Sequence, residues 1–154
     1  MKTNKKERGF TLLLATIISS LLLAVGAAMF AIIKKEIILS SLGRDSQFAF
    51  YAADTGAECA LYWDFRHDIF SATSSAWLGK TCDSQDLGPI QFVAYDQPMV
   101  FQYDPNGYCS IVSVTKYTPG SPESTRIDSR GYSTSCATIA TNPRALERAV
   151  EIFY

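Results

Sequence analysis

Several of the usual carriers of chemistry are scarce in this chain of 154 residues. It has one histidine, His67, with no nucleophile near it in the sequence, so an exposed helix-end residue is the expected role. None of its four cysteines is spaced as Cys-x-x-Cys, and with a single histidine a zinc site has little support. No Gly-x-Ser-x-Gly elbow and no phosphate-binding glycine loop occurs. A basic surplus is missing too. Fourteen Lys and Arg stand against 15 Asp and Glu, a net charge of −1, whereas nucleic-acid binders usually carry a positive excess. Asp96, Asp104 and Asn106 lack the acidic spacing of a calcium loop, and Asp104-Pro105-Asn106-Gly107 is a turn signal. The length excludes a large multidomain enzyme. The expectation is therefore a protein that is not an enzyme, with no catalytic residues, no cofactor, no metal and no nucleic-acid partner.

Charge disappears altogether from one stretch. The 24 residues from Phe10 to Ile33 carry no ionisable side chain. At about 1.5 Å per residue, a helix of that length spans roughly 36 Å, enough for a bilayer core of about 30 Å. The preceding nine residues hold Lys2, Lys5, Lys6 and Arg8 against Glu7, a net of +3. Behind the run lie Lys34, Lys35 and Glu36. The positive-inside tendency puts the N-terminus in the cytoplasm and the remainder outside, although Lys34 and Lys35 weaken the asymmetry. Without the first nine residues the side chains sum to −4.

Three readings compete for this N-terminus. A cleavable secretory signal would use Val25-Gly26-Ala27 as its small-residue cut site. A plain signal anchor would stay uncut. The third rests on Lys6-Glu7-Arg8-Gly9-Phe10-Thr11-Leu12-Leu13, where a glycine sits at the border between charge and hydrocarbon and phenylalanine follows directly. This segment resembles the class III leader of type IV prepilins and pseudopilins. The resemblance implies cleavage between Gly9 and Phe10 by a prepilin peptidase and N-methylation of the new Phe10 amine.

The helical pattern continues past the membrane run. From Lys34 to Phe65 there is no proline, and Ile38, Leu42, Ala49, Ala52 or Ala53, Gly56, Ala60 and Trp63 recur at three- and four-residue steps. Lys35, Arg44, Asp54 and Glu58 occupy the other side. A helix from Phe10 to Phe65 would be roughly 84 Å long, too long to bury in a domain of this size. Small residues let helices approach closely, and Ala24, Gly26, Ala27, Ala28 and Ala31 supply them. A simple transmembrane helix would show the same residues. The segment Phe48-Ala49-Phe50-Tyr51-Ala52-Ala53-Asp54-Thr55-Gly56-Ala57-Glu58 is similar to the Ala-rich, acid-containing helix of PilX-like minor pilins. Its Ala/Gly stripe is where a C-terminal sheet is expected to pack, leaving Asp54 and Glu58 solvated or paired with N–H groups.

One position departs from that family. Major pilins usually carry glutamate five residues after the cut, and this chain has Leu14. In the family that carboxylate is thought to neutralise a neighbour's terminal amine inside the apolar filament core. A buried unpaired charge is costly, so Leu14 implies a minor subunit, initiating the filament or sitting at its tip. The implied filament-core helix carries Phe10, Leu14, Ala24, Gly26 and Ala28.

The remainder reads as a small β-rich head. Residues 67–85 are loop-rich. Expected strands are Ile90–Tyr95, Met99–Tyr103, Tyr108–Tyr117 and Ser124–Thr134, the last with Ile127 and Tyr132 on opposite faces. Thr118-Pro119-Gly120-Ser121-Pro122 separates the last two. Arg144–Tyr154 starts with helix formers and ends with strand formers, and pilin-like sheets often end on an antiparallel strand, which favours strand. Cys59, Cys82, Cys109 and Cys136 all lie on the side expected to be outside, where disulfides persist. Four cysteines allow three connectivities; Cys59–Cys82 with Cys109–Cys136 closes the shortest loops and is preferred. Tyr62, Trp63, Phe65 and Trp77 form either an adhesive patch or core filling.

These readings combine into an α+β, pilin-like fold. Residues 1–9 form a leader, 10–33 a membrane and filament-core helix, 34–65 its continuation against the head, and 66–154 a disulfide-stapled head. The resemblance implies a minor pilin or pseudopilin in a type IV pilus or a type II secretion-like pseudopilus. Its partners would be the cytoplasmic membrane, crossed once, other pilin subunits, the prepilin peptidase, and an assembly platform with its ATPase. The head would lie outside the membrane and then on a cell-surface filament with roles in adhesion or secretion. The alternative is a signal-anchored extracytoplasmic binding domain that never joins a filament.

Overall fold

A computed structural model describes residues 8–71, 79–120 and 124–154, with side chains from Phe10 onward. Residues 1–7 of the expected leader, the segment with Trp77, and Ser121-Pro122 lie outside the described residues. The chain divides into two compact units, Met1–Leu42 and Gly43–Tyr154.

One helix, α1, spans Arg8–His67. Within the first unit it is apolar from Phe10 to Ile33, with Lys34, Lys35 and Glu36 beyond, and each side chain from Phe10 to Leu42 is exposed. The hydroxyls there do not oppose this character. Thr16 donates to the Leu13 carbonyl, Ser19 to Ala15 and Ser20 to Ile17, so each hydroxyl is satisfied within its own helix. α1 stops where the backbone turns left-handed at Asp68, with φ of 46°, and the Asp68 N–H donates to the Asp64 carbonyl. Arg66 and His67 in the last turn sit favourably at the negative end of the helix dipole.

The second unit joins the end of α1 to two antiparallel sheets. A minimal hairpin comes first, β1 (Thr81–Cys82) and β2 (Gln85–Asp86), turned by Asp83 and Ser84, both at positive φ. The main sheet is a meander: β3 (Pro98–Tyr103), β4 (Ser110–Lys116), β5 (Thr125–Tyr132) and β6 (Glu147–Phe153), in the order β3-β4-β5-β6. The C-terminal segment is thus a strand, and the Asp104-Pro105-Asn106-Gly107 signal becomes a short 3-10 turn at Pro105–Gly107.

The expected strand at Ile90–Tyr95 is not there; those residues are irregular. Ile90 is buried and Phe92 half-buried against the core, but Val93, Ala94 and Tyr95 are exposed, so the apolar run is anchored only in its first half. Asp96 then turns at φ 62°, and its N–H donates to the Lys116 carbonyl at the end of β4. A tether to that terminus replaces ladder pairing, which requires a partner along the whole segment.

Strand alternation decides what faces α1. In β4, Ser110, Val112 and Val114 are buried, and in β5, Thr125, Ile127, Ser129 and Gly131 are buried. Register aligns Val114 with Ile127 and Ile152, and Ser110 with Gly131 and Arg148. Against this face lie Ala49, Ala52, Ala53, Gly56, Ala57 and Ala60 of α1, all buried. The contact is close because both sides are small. A Cβ added at Gly56 would lie 2.1 Å from Ser110 Oγ, and one at Gly131 would lie 2.0 Å from the Ala49 carbonyl oxygen. Ser129 Oγ uses this proximity to donate to the Ala53 carbonyl at 2.6 Å. Phe70, Phe101, Met99 and Ile127 are among the larger residues of the core cluster, which also includes Ala60 near the end of α1.

Candidate functional site

Two surfaces can support a function: the bare apolar helix of the first unit, and a polar cluster in the head. The helix carries no charge and no buried side chain from Phe10 to Ile33, so it is long and apolar enough to cross a membrane. Gly9 and Phe10, the expected cleavage pair, are consecutive helical residues, and the Phe10 ring is exposed. Leu14 is exposed one turn further on, with Ala24, Gly26 and Ala28 exposed beyond it. A Cβ added at Gly26 meets nothing within 4 Å. Large apolar side chains on a solvated helix are unstable in water at about 25 cal/mol per Å², so this surface requires a partner phase, lipid or protein.

The head is held by two disulfides, Cys59–Cys82 and Cys109–Cys136, the pairing that closes the shortest loops. The first ties α1 to β1. The second ties the start of β4 to a 3-10 turn at Cys136–Thr138. Asp104 organises the region between them. Its carboxylate accepts the Cys136 N–H at 2.7 Å, and its backbone forms two hydrogen bonds with the Gln85 side chain, at 2.7 and 3.0 Å. Asp104 therefore carries structure. The cluster Asp104, Cys109 and Cys136 has the composition of a metal site, but its two sulfurs are bonded to each other.

The polar cluster was not foreseen. Asp64 is buried, and its Oδ2 accepts from Lys116 Nζ at 2.6 Å and from the Tyr154 hydroxyl. Lys116 Nζ also donates to Thr125 Oγ1 at 2.9 Å. Asp64 Oδ1 is buried with no hydrogen-bond partner among the described residues. Burial, and then the bond to Asp64, pushes the Tyr154 phenol well above its ordinary range. A cavity of about 590 Å³ opens beside the cluster, walled by Phe65, Phe70, Phe92, Tyr95 and Tyr117. A sequence signal existed. Asp64 lies four, seven and eleven residues after Ala60, Ala57 and Ala53, on the buried stripe of α1, and Lys116 continues the inward parity of Val112 and Val114. A second phenol, Tyr103, is buried and pushed up by burial, then by Asp83 and Glu58.

The remaining singled-out residues sit at the surface. His67 is exposed and packs its ring near Tyr62 and Trp63. Tyr62 and Phe65 are exposed and Trp63 is half-buried, so the aromatics divide between surface and core. Asp54 is half-buried and Glu58 exposed, away from the sheet-facing alanines. No protein-family model, curated protein or solved structure matches this chain.

Proposed function

We propose that this chain is a minor subunit of a type IV filament, a pilin or pseudopilin placed at the initiating or tip position. The observation that carries the reading is the exposed apolar segment of α1, joined in one helix to residues that pack on a small disulfide-bonded sheet. Such a segment suits two environments in turn. Lipid covers it while the subunit waits in the cytoplasmic membrane, and neighbouring helices cover it after assembly. Ala24, Gly26 and Ala28 offer close approach in the second state. In this reading the leader is removed after Gly9, the Phe10 amine is methylated, and a separate platform and ATPase supply the work of extraction.

Leu14 sets the position in the filament. It provides no carboxylate for the terminal amine of a subunit ahead of it, and an unpaired ammonium in an apolar core is costly. A subunit that leads the filament meets no such demand. The head then contacts other minor subunits or an external surface.

Mass spectrometry of the mature N-terminus tests the reading. N-methyl-Phe10 is the expected result. An intact Met1 would instead support a signal-anchored extracytoplasmic domain, and a terminus after Ala27 would support a secreted one. Immunogold labelling should place the protein at filament ends; labelling along the shaft as the dominant component would remove the tip assignment.

A further inference from the structure

We propose that Asp64 and Lys116 condense to an intramolecular isopeptide bond, which joins the end of α1 covalently to the end of β4. Three features of the cluster lead there. The first is geometric. Lys116 Nζ stands 2.6 Å from Asp64 Oδ2, across 52 residues of sequence, so the nitrogen is in direct contact with the carboxyl group it would attack. Both side chains are held. Thr125 Oγ1 positions the nitrogen, and Asp64 leaves a helix turn whose flank is packed on the sheet.

The second is environment. The Asp64 side chain is 4% exposed and that of Lys116 17%, with Phe65, Phe70 and Phe92 lining the adjacent cavity. An ion pair here has to give up hydration on both partners. The neutral amine and acid hold the same protons as the ion pair, so a single proton moved from Nζ to the carboxylate produces the reactive forms. In those forms neither partner carries a charge, and the Nζ lone pair is free to attack.

The third is hydrogen bonding. Asp64 Oδ1 has no hydrogen-bond partner among the described residues, a costly arrangement for half of a carboxylate. In the product this atom is the oxygen of a neutral amide, for which the missing partner costs less. The other oxygen is the one served by a donor, the Tyr154 hydroxyl.

The step balances without a redox partner. Nζ attacks Cγ and the Nζ–Cγ bond forms. The Cγ–Oδ2 bond breaks, and Oδ2 leaves as water, carrying the acid proton and one proton from nitrogen. Tyr154 protonates Oδ2 as it leaves and recovers a proton from Nζ. Alignment of this kind is worth effective molarities of roughly 10⁵–10⁸ M, which sets it apart from amide formation in bulk water.

The test is a reduced tryptic map of the full-length wild-type protein. Reduction is needed because Cys59–Cys82 links the same two regions. The expected result is that peptide 45–66 stays joined to peptide 81–126, with Lys116 uncut and a combined mass lower by one water. Lys116→Arg should release the two peptides. Tyr154→Phe should slow joining in freshly made protein by about a hundredfold, as loss of a placed proton donor does. Separate wild-type peptides 45–66 and 81–116 after reduction would overturn the proposal. Joining at an unchanged rate in Tyr154→Phe would overturn the role given to Tyr154.

Discussion

Adding one methyl group at Gly131 tests the contact that organises the head. Its Cβ would lie 2.0 Å from the Ala49 carbonyl oxygen and 2.3 Å from the Ala53 nitrogen. Both are backbone atoms of α1, so no side-chain rotation relieves the overlap and strand must part from helix. Overpacking typically costs about 1–3 kcal/mol, and a backbone obstacle argues for the upper end. One effect opposes it: alanine is favoured over glycine within a strand by roughly 0.5–1 kcal/mol. The difference leaves Gly131→Ala less stable by about 2 kcal/mol. Parting would also lengthen the 2.6 Å bond from Ser129 to the Ala53 carbonyl, which adds to the loss. Urea unfolding of the full chain in detergent, followed by near-ultraviolet circular dichroism, should show the midpoint falling by about 1 M at ordinary m-values. An unchanged or higher midpoint would refute the close approach of β5 to α1 and the role given to small residues on both sides.

The other predictions use the same unfolding assay. Gly43→Ala should stabilise the protein by up to about 1 kcal/mol, because Gly43 lies inside α1 and an added Cβ meets nothing within 4 Å. A midpoint lowered by this change would show that the helix surface at Gly43 is in contact with something. Replacing Cys109 and Cys136 together by alanine should cost about 3–4 kcal/mol, the loop-closure entropy for a separation of 27 residues; a loss below about 1 kcal/mol would mean that the turn at Cys136 is held without the disulfide. Stability should also fall in alkali. The Tyr103 and Tyr154 phenols are raised in the folded protein, mainly by burial, so the unfolded chain releases their protons first. Their contribution is complete below about pH 10, the unfolded phenol value, and declines as pH rises beyond it. Tyr154→Phe should reduce that alkaline slope, and an unaltered slope would count against the burial of this phenol.

Much of the fold was legible from residue pattern. The uncharged run, the three- and four-residue spacing of alanines and the proline-free stretch after Lys34 specify α1, because helix periodicity is local. Three of the four expected strands and the C-terminal strand exist within a few residues of their anticipated bounds. The disulfide pairing followed from loop length. The failure at Ile90–Tyr95 has a different origin. Its composition suits a strand, but a strand exists only where a partner offers a ladder, and here β4 offers one terminal carbonyl.

The polar cluster shows the same division more sharply. That Asp64 shares a face with Ala53, Ala57 and Ala60 is a property of the sequence, as is the inward parity of Lys116 in β4. That they meet, together with Thr125 and Tyr154, depends on where the sheet crosses the helix and on the register of β4 with β5. The sequence by itself determined the apolar helix, the Gly9-Phe10 border between charge and hydrocarbon, the apolar Leu14 and the strand-forming composition of the head, since each depends on the residue itself or on neighbours within a turn or two. Only the tertiary structure decided which small residues would touch, and which acid would be buried against which amine. Those contacts join positions 50 to 90 residues apart, and nothing short of the folded sheet brings them together.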